Sequence, residues 1–177
     1  MTESSQSPRP FAVLTADGDR QLVAFVDDYR RTVLASLDGM TEEQARRRLV
    51  PSLTTLLGLV RHVTFMETVW FGEAVSGIPR SELGMPESVD ESFLVTDEDT
   101  IESVRMAYAE TVERSRAVMD GRHMDDVVSG HRAGPMTLRW IHLQVLRELA
   151  HHTGHADILR EQILAADDAA AGRGTSD

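Results

Sequence analysis

Four of the chain's seven histidines, His142, His151, His152 and His155, fall in one run near the C-terminus with Glu148 among them. Imidazole and carboxylate groups hold divalent transition metals. Residues four apart on a helix are neighbours, so Glu148 with His152, or His151 with His155, can converge on one ion. With a helical advance of about 100° per residue and Glu148 at zero, Leu138, Ile141, Val145, Leu149, Ala156, Leu159 and Ile163 share an arc of roughly 20° to 100°. His152 falls inside it at about 40°, Glu148 and His155 on its border, and His151 outside at about −60°. The inward polar set is therefore Glu148, His152 and His155, with His151 and His155 as the competing pair. A carboxylate buried alone costs several kcal/mol, so an inward Glu148 protonates or finds a cation.

Two ligands from one helix do not complete a site. His62 is the best third candidate, since Leu59, Met66 and Val69 lie within about 60° of it around a helix axis and it too points inward. A lone inward histidine is more often a hydrogen-bonded core residue, but three polar residues on one buried face require partners. His123, His131 and His142 read as surface or packing residues, Asp125-Asp126 as solvated loop, and Trp70, Phe71 and Trp140 as core or interface aromatics.

Four long amphipathic helices carry these residues. The first covers 17–37, with Leu22, Phe25, Val26, Tyr29, Val33 and Leu34 at three- and four-residue steps, and stops at Gly39. A short helix follows behind Thr41 and ends by Pro51. Thr54 or Thr55 opens the second long helix, which runs to Gly77, and 78–96 reads as a long crossover loop or lid with a short extended piece at 92–95. Asp97 or Asp99 opens the third, up to Gly121, and Thr137 caps the fourth, which runs to about Ala165. The expected architecture is an all-α, up-down four-helix bundle over residues 11–166, with disordered ends at 1–10 and 167–177.

Composition narrows the chemistry. The 177-residue chain has no cysteine, so any metal sits on N and O ligands and any catalytic sulfur arrives with a cosubstrate. A formal charge of −11 argues against nucleic acid and anionic membranes as partners. Every basic residue is arginine, which we read as codon bias from a GC-rich genome. The start of the chain has neither a basic nor an apolar targeting segment, and the expected location is a reducing cytoplasm.

The segments Leu56-Leu57-Gly58-Leu59-Val60-Arg61-His62-Val63, Glu67-Thr68-Val69-Trp70-Phe71 and Leu138-Arg139-Trp140, with His151-His152-Thr153-Gly154-His155-Ala156-Asp157-Ile158-Leu159-Arg160, resemble the DinB-like superfamily, and most its actinobacterial branch of unknown function. Thr41-Glu42-Glu43-Gln44-Ala45-Arg46 and Pro51-Ser52 share the likeness, which spans about residues 10–166. The resemblance implies an up-down four-helix bundle that holds a divalent metal (Zn, Ni, Mn or Fe) through a His on the second helix and a His or Glu plus a His, four apart, on the last. Its His-His-x-Gly element matches His151-His152-Thr153-Gly154 and puts His152 in the ligand position, with Glu148 four residues before it. Where relatives carry Gln after that Gly, this chain has His155, a fourth ligand or a supporting group. The resemblance further implies a metal-dependent enzyme that activates a low-molecular-weight thiol, mycothiol in actinobacteria, for transfer to or isomerisation of a small electrophile. Arg61, Arg139 and Arg147 are the cationic candidates at the mouth of such a site. The alternatives are a metal- or ligand-binding stress protein without catalysis, and a metal-dependent hydrolase with His155 as base. A homodimer through outer faces carrying Trp70 and Phe71 is also expected.

Overall fold

Side-chain caps set where the helices begin. The computed structural model, which describes residues 8–173, starts α1 (Gly18–Ala35) behind Asp17, whose carboxylate accepts the Arg20 N–H. Thr41 starts α2 (Glu42–Arg46) in a reciprocal capping box with Gln44, and Thr55 starts α3 (Leu56–Glu67) by accepting the Gly58 N–H. Each cap satisfies an N–H group that a helix start leaves unpaired. α3 continues through a π turn (Thr68–Glu73) into α4 (Ala74–Ser76). The third long helix, α5 (Ile101–Met119), is capped by Thr100 and not by Asp97 or Asp99; Asp99 instead closes the preceding turn by accepting from Thr96. Thr137 accepts the Trp140 N–H at the start of α6 (Leu138–Arg173).

α6 packs on α1 and α3, and α3 packs on α5. Four long helices thus enclose one core, the all-α bundle that the sequence predicts. The seven apolar α6 residues assigned to one arc are all buried, with Leu138, Ile141 and Ile163 excluded entirely from solvent. Burying each of the Leu, Ile and Val side chains among them contributes about 1.5–3 kcal/mol. They meet Val26 and Val33 of α1 and Leu56, Leu59, Val60 and Val63 of α3 in one cluster. Phe25 departs from its expected stripe and is 45% exposed, because Asp27 and Arg30 occupy the buried face beside Val26 and Val33. Phe71 is 1% exposed, so it supplies none of the outer surface expected for a homodimer.

The sequence misses three local features. The second long helix is not uniform: Thr64 and Thr68 donate their hydroxyls to the carbonyls of Val60 and Thr64 at 2.8 and 3.0 Å, a back-bonding that loosens a helix, and the π turn begins at Thr68. The piece expected to be extended at 92–95 begins as a single 3-10 turn, Glu91–Phe93. The polar connection before α6 forms an antiparallel ribbon of β1 (Val127–Val128) and β2 (Met136–Thr137), paired Val127 to Thr137 and Val128 to Met136.

The described parts of the two ends are joined to the bundle. α6 continues to Arg173, and Asp167 accepts from Gln44 at 2.7 Å and pairs with Arg47. Arg9 pairs with Asp28 at 2.9 Å before a 3-10 turn at Pro10–Val13. Residues 1–7 and 174–177, the remainder of the expected disordered ends, lie outside the described residues. No helix among the described residues is long and apolar enough to cross a membrane.

Candidate metal centre

α3 presents His62, and α6 presents Glu148 and His152 one turn apart. One ligand atom from each lies within 4.8 Å of the others. The two imidazoles meet edge to face at 4.5 Å between centroids, and His152 Nε2 stands 3.6 Å from Glu148 Oε2. That gap is too wide for a hydrogen bond. It matches an ion between them, since two donors each about 2.1 Å from a tetrahedral ion lie about 3.4 Å apart. Glu148 Oε1 accepts from Gln144 Nε2 at 2.9 Å and from Arg147 Nη2 at 2.7 Å, which leaves Oε2 for His152 and an ion.

Burial keeps the two histidines in their neutral form. Desolvation, helped by the neighbouring His152, pushes His62 down to about 3. Desolvation likewise pushes His152 down to about 4, against the opposing charge of Glu148. Both rings are neutral at physiological pH, the form that binds metal. His152 Nδ1, the ring nitrogen away from Glu148, is buried with no hydrogen-bond partner among the described residues. Two neutral imidazoles and one carboxylate fit a divalent ion of the zinc, nickel, manganese or iron kind.

The other histidines divide. His155, placed by the helical arc on the inward border, is exposed and outside the cluster, its ring 4.4 Å from that of the equally exposed His151. An edge position on α6 turns it to solvent once α1 and α3 have filled the inner face. His142 is a packing residue and not a surface one: it is buried, its Nδ1 lies 2.8 Å from the Leu138 carbonyl, and it meets Phe71 edge to face.

Above the cluster lies a cleft of about 770 Å³ lined by Met66, Val69, Trp70, Phe93, His131 and Arg132 as well as the three candidate ligands. Such a volume suits a small organic molecule. His131, read from sequence as surface or packing, instead forms a wall against Trp70 at 4.8 Å. Gly130 seats it there, donating its N–H to the Ala74 carbonyl at 3.0 Å; a Cβ at this position would stand 2.4 Å from the Glu73 oxygen. His131 Nδ1 accepts the Ala133 N–H, so the neutral ring carries its proton on Nε2.

Of the cationic candidates at the mouth, only Arg147 lines the cleft. Arg61 pairs with Asp99, and Arg139 with Asp19 and Asp125. Arg80 and Arg132 take their place: Arg80 is held by Glu73 at 2.8 Å, whereas Arg132 makes no ion pair among the described residues.

Sequence reasoning also passes over Ser92, Phe93 and Gln144. Gln144 was within reach, lying four residues before Glu148 on the same face. Ser92 and Phe93 sit in a loop without periodicity, where spacing carries no signal. They nonetheless touch His62 directly, Ser92 Oγ at 2.7 Å from Nδ1 and the Phe93 ring stacked at 4.0 Å between centroids.

A family model described as Mycothiol-S-transferase matches residues 21–165. Among curated proteins, none matches the chain.

Proposed function

Because this chain belongs to the mycothiol S-transferase family, its match covering residues 21–165, we propose that it is a divalent-metal-dependent enzyme that joins a low-molecular-weight thiol, mycothiol or a close analogue, to a small electrophile. The observation that carries this reading is the convergence of His62, Glu148 and His152 at the floor of the cleft. A divalent ion held there would supply a Lewis acid that favours the thiolate form of a bound thiol at neutral pH. No cysteine is present to act as nucleophile, so the sulfur belongs to the cosubstrate.

The chain's own residues do the rest. His62 and His152 offer uncharged nitrogen, and Gln144 and Arg147 hold Glu148 by one oxygen so that the other faces the imidazoles. Met66, Val69, Trp70 and Phe93 form an apolar wall that keeps water from the reacting sulfur. His131, with its proton on Nε2, supplies a hydrogen-bond donor at that wall. Arg132 favours an electrophile with an anionic or strongly polar group. In the transfer itself the thiol loses its proton, sulfur bonds to the electrophilic carbon, and a leaving group departs or, in an addition, a proton reaches the neighbouring atom.

The test is thiol-dependent consumption of electrophiles by the Zn²⁺-, Ni²⁺- or Mn²⁺-loaded protein, using mycothiol with alkyl halides, epoxides and enones. Turnover that disappears in His152→Ala is expected. Full metal loading with no turnover across the panel overturns the transferase reading in favour of a binding protein. Turnover without thiol favours a hydrolase, for which His155 is unsuited because it lies exposed and outside the cluster.

A further inference from the structure

We propose that Ser92 is a positioning residue of the metal centre: its hydroxyl holds His62 with the proton on Nδ1, so that Nε2 presents its lone pair to the ion. The crossover loop that carries Ser92 becomes part of the site. This rests on the reading of His62, Glu148 and His152 as ligands.

The direction of the hydrogen bonds follows from a proton count. Ser92 Oγ lies 2.5 Å from the Val89 carbonyl oxygen and 2.7 Å from His62 Nδ1. A carbonyl only accepts, so the single hydroxyl proton goes to Val89, and Oγ must accept from His62 Nδ1–H. The ring then has its lone pair on Nε2. The bond made by one imidazole nitrogen decides which nitrogen can bind metal, and such supporting partners strengthen metal affinity.

The surroundings fix this arrangement. Ser92 is 3% exposed, and Phe93 lies flat on the His62 ring with an interplanar angle of 11°. Gly58, one turn before His62, makes the approach possible: a Cβ there would stand 2.7 Å from the Phe93 carbonyl oxygen and 3.0 Å from Thr55 Oγ1. The 3-10 turn Glu91–Phe93 thus rests on the bare backbone of α3 directly beside the ligand. By linkage, whatever the loop adds to metal affinity the metal returns to the loop as order.

The experiment compares wild type, Ser92→Ala, Ser92→Thr and Gly58→Ala. Two readouts are Zn²⁺ affinity by chelator competition and the His62 tautomer in metal-free protein by ¹⁵N NMR; the third is amide exchange over residues 89–94 with and without Zn²⁺. Wild type is expected to show His62 protonated on Nδ1 and slower exchange once Zn²⁺ binds. Ser92→Ala is expected to weaken Zn²⁺ binding about 10- to 100-fold and to shift the tautomer toward Nε2–H, with Ser92→Thr restoring both. Gly58→Ala, which keeps the hydroxyl but pushes the loop away, is expected to follow Ser92→Ala, and it carries the test if Ser92→Ala does not fold. Wild-type Zn²⁺ affinity in a folded Ser92→Ala protein, or a wild-type His62 protonated on Nε2, overturns the proposal. A wild type that binds no Zn²⁺ overturns the metal reading itself, while the metal-free tautomer still decides what Ser92 does to His62.

Discussion

Arg30 grips Glu67 with both prongs of its guanidinium, Nε donating to Oε1 at 2.7 Å and Nη2 to Oε2 at 2.8 Å. The pair joins α1 to the end of α3 inside the bundle, with side chains 9% and 1% exposed. Nη1 also reaches Asp27 at 2.8 Å, and Asp27 meets Arg116 of α5 at 3.2 Å. Three helices are therefore tied by one charge network, in which Asp27, Arg30 and Glu67 are buried and Arg116 stays in contact with water, and Glu67 directly precedes the π turn that sets Val69 and Trp70 in the cleft wall.

Removing one partner of such a pair leaves the other buried and uncompensated, which typically costs about 3–5 kcal/mol. Glu67→Ala and Arg30→Ala are each expected to lose that much in chemical denaturation. Replacing the pair together with Leu and Met is expected to cost less than the sum of the single changes, because no orphaned charge remains between them. Single changes worth under about 1 kcal/mol, the range of exposed pairs, would show that water reaches the network.

Zn²⁺ binding is expected to separate the candidate ligands from their exposed neighbours on α6. His62→Ala and His152→Ala are expected to abolish tight binding in a chelator-competition titration, and Glu148→Gln to weaken it strongly by removing the only anionic donor of the three. His151→Ala and His155→Ala are expected to stay within a few-fold of wild type, since both rings face solvent and neither belongs to the cluster. Loss of binding in His151→Ala with retention in His152→Ala would exchange the two pairs.

That His152 and not His151 faces inward is legible because helical period decides which side of an axis a residue takes, and Leu149, Ala156 and Leu159 mark the inner side. The same reasoning failed for His155, which lay on the border of the arc, where a small rotation of the helix decides between core and solvent. Asp27 and Arg30 carried a signal that went unused: charges on the Val26 and Val33 face must find partners. Ser92, Phe93 and His131 carried none. Their positions follow from where two loops come to rest, and those places depend on the absent side chains of Gly58 and Gly130, glycines that mean nothing until the opposing backbone is known.

Acid weakens the metal-free fold through the same histidines. In the unfolded chain they titrate near 6.5, while burial holds His62 at about 3 and His152 at about 4 in the folded protein. Below the unfolded value the unfolded state binds protons that the folded state refuses, so the stability present above about 6.5 is lost as pH falls toward the folded values. Between pH 6 and 5, before most carboxylates titrate, each of the two histidines is expected to remove up to about 1.4 kcal/mol per pH unit. Denaturation of chelator-treated protein at several pH values measures the slope, and His62→Gln is expected to reduce it by one histidine's share. An unchanged slope in that variant would mean that His62 accepts a proton in the folded state.

On the transferase reading, Arg132 is expected to decide the class of electrophile. Arg80 is engaged by Glu73 and lies over the Phe65 ring, and Arg147 is engaged by Glu148, so Arg132 is the cleft arginine with its charge unspent among the described residues. It is also exposed, in a chain with a formal charge of −11, and its attraction for an anion is therefore modest and screened by salt. Arg132→Ala is expected to raise KM for an electrophile bearing a carboxylate about three- to tenfold with kcat unchanged, the signature of binding lost equally from ground and transition states. For a neutral electrophile of the same size KM should not move, and raising the ionic strength should shrink the difference between the two substrates in wild type but not in the variant. An equal rise in KM for both substrates would assign Arg132 to the shape of the cleft, with no part in charge recognition.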